Sequence, residues 1–140
     1  MSQRILVDIN VLLDVLAQRS PHYVASAAVW AAVENREVAG WVSANSVTTL
    51  YYLLRKISNH VTAMRGIRLV HEVFSIAPVD AALIEKALHS SLSDFEDAVQ
   101  YESALRVKAT AIVTRDVRHF QHASIPAVTP EIFVAGSKLK

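Results

Sequence analysis

The fold of this chain is decided by the stretch ILVDINVLL at residues 5–13. Its first three residues are apolar and two of them are β-branched, as expected for a buried strand. Asp8 follows where this strand should end, and residues 11–17 then have the apolar spacing of a helix. We therefore expect the chain to open with a strand that leads directly into a helix, with a carboxylate at the junction.

Further strands and helices alternate along the rest of the chain. Strands are predicted at Trp41–Ser43, Ile76–Val79 and Ala109–Thr114. Helices are predicted between them at residues 22–37, from Asn45 or Ser46 to 54, at 60–74, at 81–90, and from a capping box of Ser93 and Glu96 onward. Such alternation is typical of parallel βαβ units. We predict one α/β domain over residues 1–135, followed by a flexible tail at residues 136–140.

The composition is that of a globular protein with a substantial core. Of the 140 residues, 52% are hydrophobic, and the net charge is only +1. This balance excludes a polybasic module that coats nucleic acid by bulk charge, although a nuclease needs only a local basic rim. The absence of cysteine excludes disulfides, thiolate zinc sites and cysteine nucleophiles. With no signal peptide and no apolar run of about 20 residues, we expect a cytoplasmic protein that does not enter the membrane.

Two aspartates follow predicted strands. Asp8 comes after the first strand and Asp116 after the strand at Ala109–Thr114, and ligands bind at this edge of open parallel sheets. Each aspartate also has a structural explanation, as an N-cap or as a turn residue. Because Asn10 could cap the first helix instead, we assign Asp8 to a site.

A third acidic group lies at the start of the helix that follows Ser93. The helix dipole alone explains Asp94 and Glu96, whereas Asp97 lies further in and shares a face with Asp94. Several carboxylates close together repel one another and stay ionised only when a cation joins them. Mg²⁺ and Mn²⁺ favour such oxygen ligands and support phosphodiester cleavage, although the same groups would also serve a phosphotransferase.

Taken together, these stretches resemble the PIN domain, in particular the small stand-alone type typified by VapC toxins. The resemblance is carried by residues 6–14, by Asp94–Ala98 with Ala104, by Val113–Asp116 with His119 and Phe120, and by Thr129–Phe133. It implies a three-layer α/β/α sandwich with a central parallel sheet of about five strands. It also implies an endoribonuclease that uses Mg²⁺ or Mn²⁺ and acts on RNA, with a homodimer and an antitoxin protein as expected partners.

The resemblance also assigns roles to individual residues by position. Catalysis and metal binding fall to Asp8, Asp97 and Asp116, with Asp94 as an accessory metal ligand. Asn10 and Thr114 would support the site through hydrogen bonds.

One position departs from the family pattern. The family usually places a Glu in the helix after the second strand, and here that position is Thr49, with no acidic residue between Glu37 and Glu72. A threonine hydroxyl can support the site but brings no charge, so we expect weaker metal binding. A PIN domain that only binds RNA or a protein is therefore the alternative. A haloacid-dehalogenase-like phosphatase would need a second Asp where this chain has Asn10.

Overall fold

The computed structural model describes residues 3–121 and 123–138. In this part of the chain, a five-stranded parallel sheet is flanked by seven α-helices, which confirms the expected α/β sandwich. The strands, in the order β3-β2-β1-β4-β5 across the sheet, are β1 (Arg4–Val7), β2 (Ala39–Ser43), β3 (Ser75–Ala77), β4 (Ala111–Val113) and β5 (Ala127–Val128). The helices are α1 (Ile9–Leu16), α2 (Tyr23–Glu34), α3 (Ala44–Ile57), α4 (His60–Val73), α5 (Ala81–Leu88), α6 (Phe95–Arg106) and α7 (Pro130–Lys138), with a 3₁₀ turn at Val117–Phe120.

Strand β1 lies at the centre of the sheet. Leu6 is aligned with Trp41 of β2 on one side and with Ile112 of β4 on the other. Ile5 and Leu6 are fully buried, and Val7 is almost so. Because helices cover both faces of this strand, residues 5–7 are apolar without alternation.

The two faces of the sheet support separate cores. Ile5 and Val7 pack with α1 to α4, where Leu12, Val29 and Leu50 are buried. Leu6 packs on the opposite face with Ala104 of α6 and with Phe120 of the 3₁₀ turn. The alternate residues of β1 thus pack against two helix layers, and this packing fixes the position of the strand end at which Asp8 lies.

The start of α1 differs from the prediction. The helix begins at Ile9, so Asn10 lies within its first turn and does not cap it. Asp8 occupies the N-cap position, but its side chain makes no capping hydrogen bond. The prediction that Asn10 caps α1 was therefore wrong, and the carboxylate of Asp8 is directed to other partners.

Two further helices begin at other residues than predicted. Helix α3 begins at Ala44, before both predicted caps. Helix α6 is capped by Asp94, which accepts a hydrogen bond from the backbone N–H of Asp97 at 3.0 Å, so the prediction of Ser93 as the cap was wrong. Either side chain is a good cap, and the local sequence does not distinguish them.

The end of the described chain is helical. Residues 136–138 of the predicted tail continue α7, while residues 139 and 140 lie outside the described residues. Among the described helices, none combines the length and the apolar character that crossing a membrane requires.

Candidate active site

A cavity of about 200 Å³ lies at the carboxyl edge of the sheet. Residues after β1, β2 and β4 and the first half of α6 form its wall. They are Asp8, Ile9, Asn10, Asn45, Ser46, Thr49, Asp94, Glu96, Asp97, Gln100, Asp116 and His119. The structure therefore brings the four predicted acidic residues to one place, together with Asn10 and Thr49.

A larger cavity of about 440 Å³ lies between α3 and α4. Its wall is mainly apolar, with Val47, Ile67, Val70 and Ile76, and it includes one carboxylate, that of Glu72. Since this wall combines a single carboxylate with Arg68 and His71 and is otherwise mainly apolar, we place the chemistry in the smaller cavity, where several carboxylates meet.

Asp8 is buried at the base of the acidic cavity, with 6% of its surface exposed. Its Oδ2 accepts a hydrogen bond of 2.8 Å from Thr114 Oγ1, and its Oδ1 accepts a longer one of 3.4 Å from Gln100 Nε2. Burial raises the pKa of Asp8, and these two hydrogen bonds oppose that shift. Both donors are neutral, so the charge of Asp8 is held in place but not neutralised.

Thr114 links two of the aspartates. Its hydroxyl donates to Asp8 and accepts a hydrogen bond of 3.0 Å from the backbone N–H of Asp116. Thr114 is fully buried, and its own backbone N–H donates to Val128 of β5 at 2.9 Å. The residue thus fixes the turn after β4 relative to the end of β1, which sets the position of Asp116 next to Asp8.

Asp97 is the carboxylate whose acidity changes most clearly. Burial and the nearby charge of Asp94 raise the pKa of Asp97 to about 6, with smaller contributions from Asp8 and Asp116. His119 opposes the shift, since its Nδ1 lies 3.1 Å from Asp97 Oδ2. Neighbouring carboxylates that resist ionisation together are typical of functional sites.

Thr49 reaches the cavity without donating to any carboxylate. Its hydroxyl donates to the backbone carbonyl of Asn45, one turn earlier in α3, at 3.2 Å. Asn10 lies on the wall of the cavity from the first turn of α1.

Some cavity residues were not assigned to the site from the sequence. Gln100 lies three residues after Asp97, so helical spacing alone places both on one face of α6 and could have revealed it. Asn45 was interpreted only as a helix cap. His119 was cited only for the family resemblance and was given no role in the site, although here it contacts Asp97. The last two become visible only when distant segments meet.

The cavity concentrates oxygen atoms that accept hydrogen bonds. Over residues 3–121 and 123–138, no Lys or Arg forms an ion pair with Asp8, Asp94, Asp97 or Asp116. In the same part of the chain, no three Asp, Glu or His side chains already stand together in an arrangement that could hold a metal ion. An oxygen-rich set of this kind suits Mg²⁺ or Mn²⁺ in chemical type, and Mg²⁺ usually keeps several waters between itself and its carboxylates.

Comparisons with known proteins agree with this architecture. The chain is 28% identical over 137 residues to ribonuclease VapC1 of Aquifex aeolicus (strain VF5), covering 94% of each chain. It superposes on the crystal structure of VapBC2 from Rickettsia felis, bound to a DNA fragment from their promoter, with a TM-score of 0.69 and 12% identity, over 91% of this chain and 98% of that one. Mycobacterium tuberculosis VapC20, a Sarcin-Ricin loop cleaving toxin, superposes with a TM-score of 0.65 and 16% identity, over 77% of this chain and 86% of that one.

The profile of one family covers most of the chain. It is described as a PIN domain, and it matches residues 4–118, a span that includes every proposed site residue from Asp8 to Asp116. The match confirms the resemblance seen in the sequence: the chain belongs to the PIN domain family.

Proposed function

We propose that this protein is an endoribonuclease that depends on Mg²⁺ or Mn²⁺ and serves as the toxin of a toxin–antitoxin pair. The observation that carries the proposal is the meeting of Asp8, Asp97 and Asp116, from three separate elements, in one acidic cavity. Similarity to a ribonuclease along nearly the whole chain supports the choice of RNA as substrate.

The aspartates differ in the parts we assign to them. Asp8, Asp97 and Asp116 would hold the cation, and Asp94 would add charge from the N-terminus of α6. When bound, Mg²⁺ or Mn²⁺ would polarise a phosphoryl oxygen and activate water for attack on the phosphodiester. Thr114 would keep Asp8 and Asp116 in register through its two hydrogen bonds.

Two other cavity residues have supporting parts in the proposal. Asn10 would offer a hydrogen bond from α1. Thr49 would contribute little, because its hydroxyl already donates to the backbone of Asn45. The site therefore has one charge fewer than is usual in the family, and we expect the cation to bind more weakly than at a site with four acidic ligands.

The neutral residue at position 49 also motivates a second candidate function. A PIN domain with too little negative charge to retain a cation would bind RNA or a protein partner without cleaving RNA. Over residues 3–121 and 123–138, no three acidic or histidine side chains already stand close enough to hold a metal ion, and this also favours the second candidate.

The relatives and the exposed apolar residues support the partners that we propose. The VapBC2 structure supports an antitoxin protein as partner. Tyr52, Ile57 and Val61 on α3 and α4 are each at least 60% exposed, which supports a protein interface there, such as that of a homodimer. We further propose that residues 1–135 act as one domain in the cytoplasm.

RNA cleavage by the purified protein tests the proposal. We expect cleavage of a structured RNA with Mn²⁺ or Mg²⁺, none with a chelator, and none with the Asp8→Asn variant, which keeps the size of the side chain but removes its charge. Cleavage that persists in the variant would identify a contaminating nuclease. Binding of RNA by the wild-type protein without cleavage, at saturating Mn²⁺, would favour the second candidate.

A further inference from the structure

Two side-chain amides of the acidic cavity each have a buried oxygen without a donor. Among the described residues, no hydrogen-bond donor reaches Asn45 Oδ1 in the first turn of α3 or Gln100 Oε1 in α6. Both residues lie on the wall of the acidic cavity. A buried acceptor with no partner is unfavourable and uncommon in folded proteins, so two in one small cavity call for a shared explanation.

The orientation of the Gln100 amide follows from its neighbour. Gln100 is more than nine-tenths buried, and its Nε2 donates to Asp8 Oδ1. The reverse orientation would place an amide oxygen against a carboxylate oxygen, and the two would repel. The NH₂ group therefore faces Asp8, which leaves the carbonyl oxygen of the amide without a partner.

The other buried polar atoms of this kind are explained differently. Arg19 Nη2 and Arg115 Nε lie 3.0 and 3.3 Å from the carboxylate of Asp14, and charge compensates for their lack of hydrogen bonds. The remaining one in the described residues is a donor, Trp41 Nε1, and Trp41 is not on the wall of the acidic cavity. The unpaired acceptors are thus both at the site, beside carboxylates that also lack cations.

An acceptor can be satisfied by a donor or by a cation. The cavity already contains Asp8, Asp94, Asp97 and Asp116, so a cation would satisfy the amide oxygens and also offset this negative charge, which a neutral donor such as water would not do. Amide carbonyl oxygens are ordinary ligands of hard divalent cations, although they are weaker than carboxylates. Asn45 also lies one turn before Thr49 on the same helix, and both line the cavity, so its amide is on the side where the family usually has a carboxylate.

We propose that Gln100 and Asn45 complete the divalent cation site of this chain, with Gln100 Oε1 and Asn45 Oδ1 as neutral oxygens in place of the usual second carboxylate. The proposal rests on the cation dependence of the proposed function. In this proposal Gln100 has two roles, since its NH₂ group orients Asp8 and its carbonyl oxygen would be a ligand of the cation.

Calorimetric titration with Mn²⁺ alone tests this assignment without any measurement of activity. Gln100→Leu conserves the size of the side chain but removes both the donor and the acceptor, and we expect Mn²⁺ to bind about 10- to 100-fold more weakly. Gln3→Leu is the matched control, because Gln3 is exposed and hydrogen-bonds Thr110 away from the cavity. Its Mn²⁺ affinity should equal that of the wild-type protein, and circular dichroism should show that both variants are folded.

A second substitution distinguishes the role of the Gln100 carbonyl oxygen from that of its NH₂ group. Gln100→Glu keeps an oxygen toward the cation and adds a negative charge, but it loses the donor to Asp8. We expect this variant to bind Mn²⁺ at least as tightly as the wild-type protein at pH 8, and Asn45→Asp to bind it more tightly. If Gln100→Glu loses affinity as much as Gln100→Leu does, Gln100 only orients Asp8 and the assignment of its oxygen is wrong.

The two proposals fail in distinguishable ways. If the wild-type protein binds no Mn²⁺, the metal dependence in the proposed function is wrong, and this inference falls with it. If the wild-type protein and Gln100→Leu bind Mn²⁺ equally well, only the inference about the amides is overturned.

Discussion

Helix α1 has a buried carboxylate near each end, and the two differ in whether the chain supplies a cation to offset their charge. Asp14, near its C-terminus, is fully buried and lies 3.0 Å from Arg19 and 3.3 Å from Arg115. Asp8, just before its first residue, is nearly as buried, but its donors among the described residues are neutral: the side chains of Thr114 and Gln100 and the backbone of Ile9. Burial alone is therefore a poor indicator of function, and the source of the compensating charge is the better one.

The contacts of Asp14 give it a structural role. Ser26 Oγ on α2 donates to its Oδ2 at 3.3 Å, and Arg115 directly precedes Asp116 in the turn after β4. Asp14 thus joins α1, α2 and the turn after β4. The chain supplies the cations for this carboxylate, whereas for Asp8 and Asp97 we propose that they come from solution.

Replacing Asp14 with Asn should have the largest effect on stability. Two guanidinium groups would lose the buried carboxylate between them, and we expect a loss of about 3 kcal/mol in the free energy of unfolding. Urea denaturation with a chelator present measures it. Asp8→Asn is the matched variant, and it should cost much less, because it removes a buried charge with no cationic partner. Equal losses of unfolding free energy in the two variants would contradict the idea that Asp14 has a structural role and Asp8 does not.

Adding Mn²⁺ should stabilise the wild-type protein by a slightly smaller amount. An ion that binds only the folded state at 100 times its dissociation constant contributes about 2.7 kcal/mol. Thermal unfolding with Mn²⁺ and with a chelator should show this as a higher Tm with the ion. The same addition should leave the Tm of Asp8→Asn nearly unchanged, and an equal rise in both proteins would point to binding elsewhere.

The pH dependence of stability tests the state of Asp97. Its pKa is about 6 in the folded chain, above the value of about 4 expected when unfolded, so the folded state keeps this proton longer. Without metal, the free energy of unfolding should therefore fall as the pH rises from about 4 to 6, and it should stay lower above that range.

Asp97→Asn should remove this part of the pH dependence. Since Asp97 is partly accessible to solvent, we expect the variant to be more stable than the wild-type protein by only about 1 kcal/mol at pH 7.5 with a chelator. Denaturation across the pH range measures the difference. If the wild-type protein and Asp97→Asn show the same dependence of stability on pH from 4 to 6, Asp97 ionises normally and the assignment is wrong.

His119→Ala should have the smallest effect. The His119 side chain is 54% exposed, and exposed ion pairs contribute about 0.2–1 kcal/mol. The free energy of unfolding should therefore change little, while the pKa of Asp97 should rise further because the opposing charge of His119 is lost. Carboxyl NMR shifts of Asp97 during a pH titration would show this, and a lower pKa would contradict the assigned pairing.

Much of the fold could be predicted from local sequence. Residues 5–7 predict a fully buried strand, and βαβ order then places Asp8 and Asp116 at the same edge of the sheet. Strand β5 could not be located, because Ala127 and Val128 are too few residues for a pattern. Its place in the sheet is set by pairing with β4, which is a tertiary contact.

The site was predictable where residues follow strands and hidden where helices converge. Asp94 and Asp97 were accessible through helical spacing, as Gln100 would have been, whereas Asn45 reaches the same cavity only because α3 packs on the opposite face of the sheet from α6. The structural role of Asp14 was also hidden in the sequence, because its partner Arg115 lies far away along the chain. What the sequence lacked in each case was the long-range partner.

The most direct test is Mn²⁺ titration of the metal-free protein at pH 6, in buffers of different ionisation enthalpy. At this pH about half of the Asp97 side chains should be protonated, so one bound ion should release a fraction of a proton. We predict a single site that releases protons and is abolished by Asp8→Asn. An absence of Mn²⁺ binding, or binding that Asp8→Asn leaves unchanged, would contradict the idea that this cavity is built for an external cation.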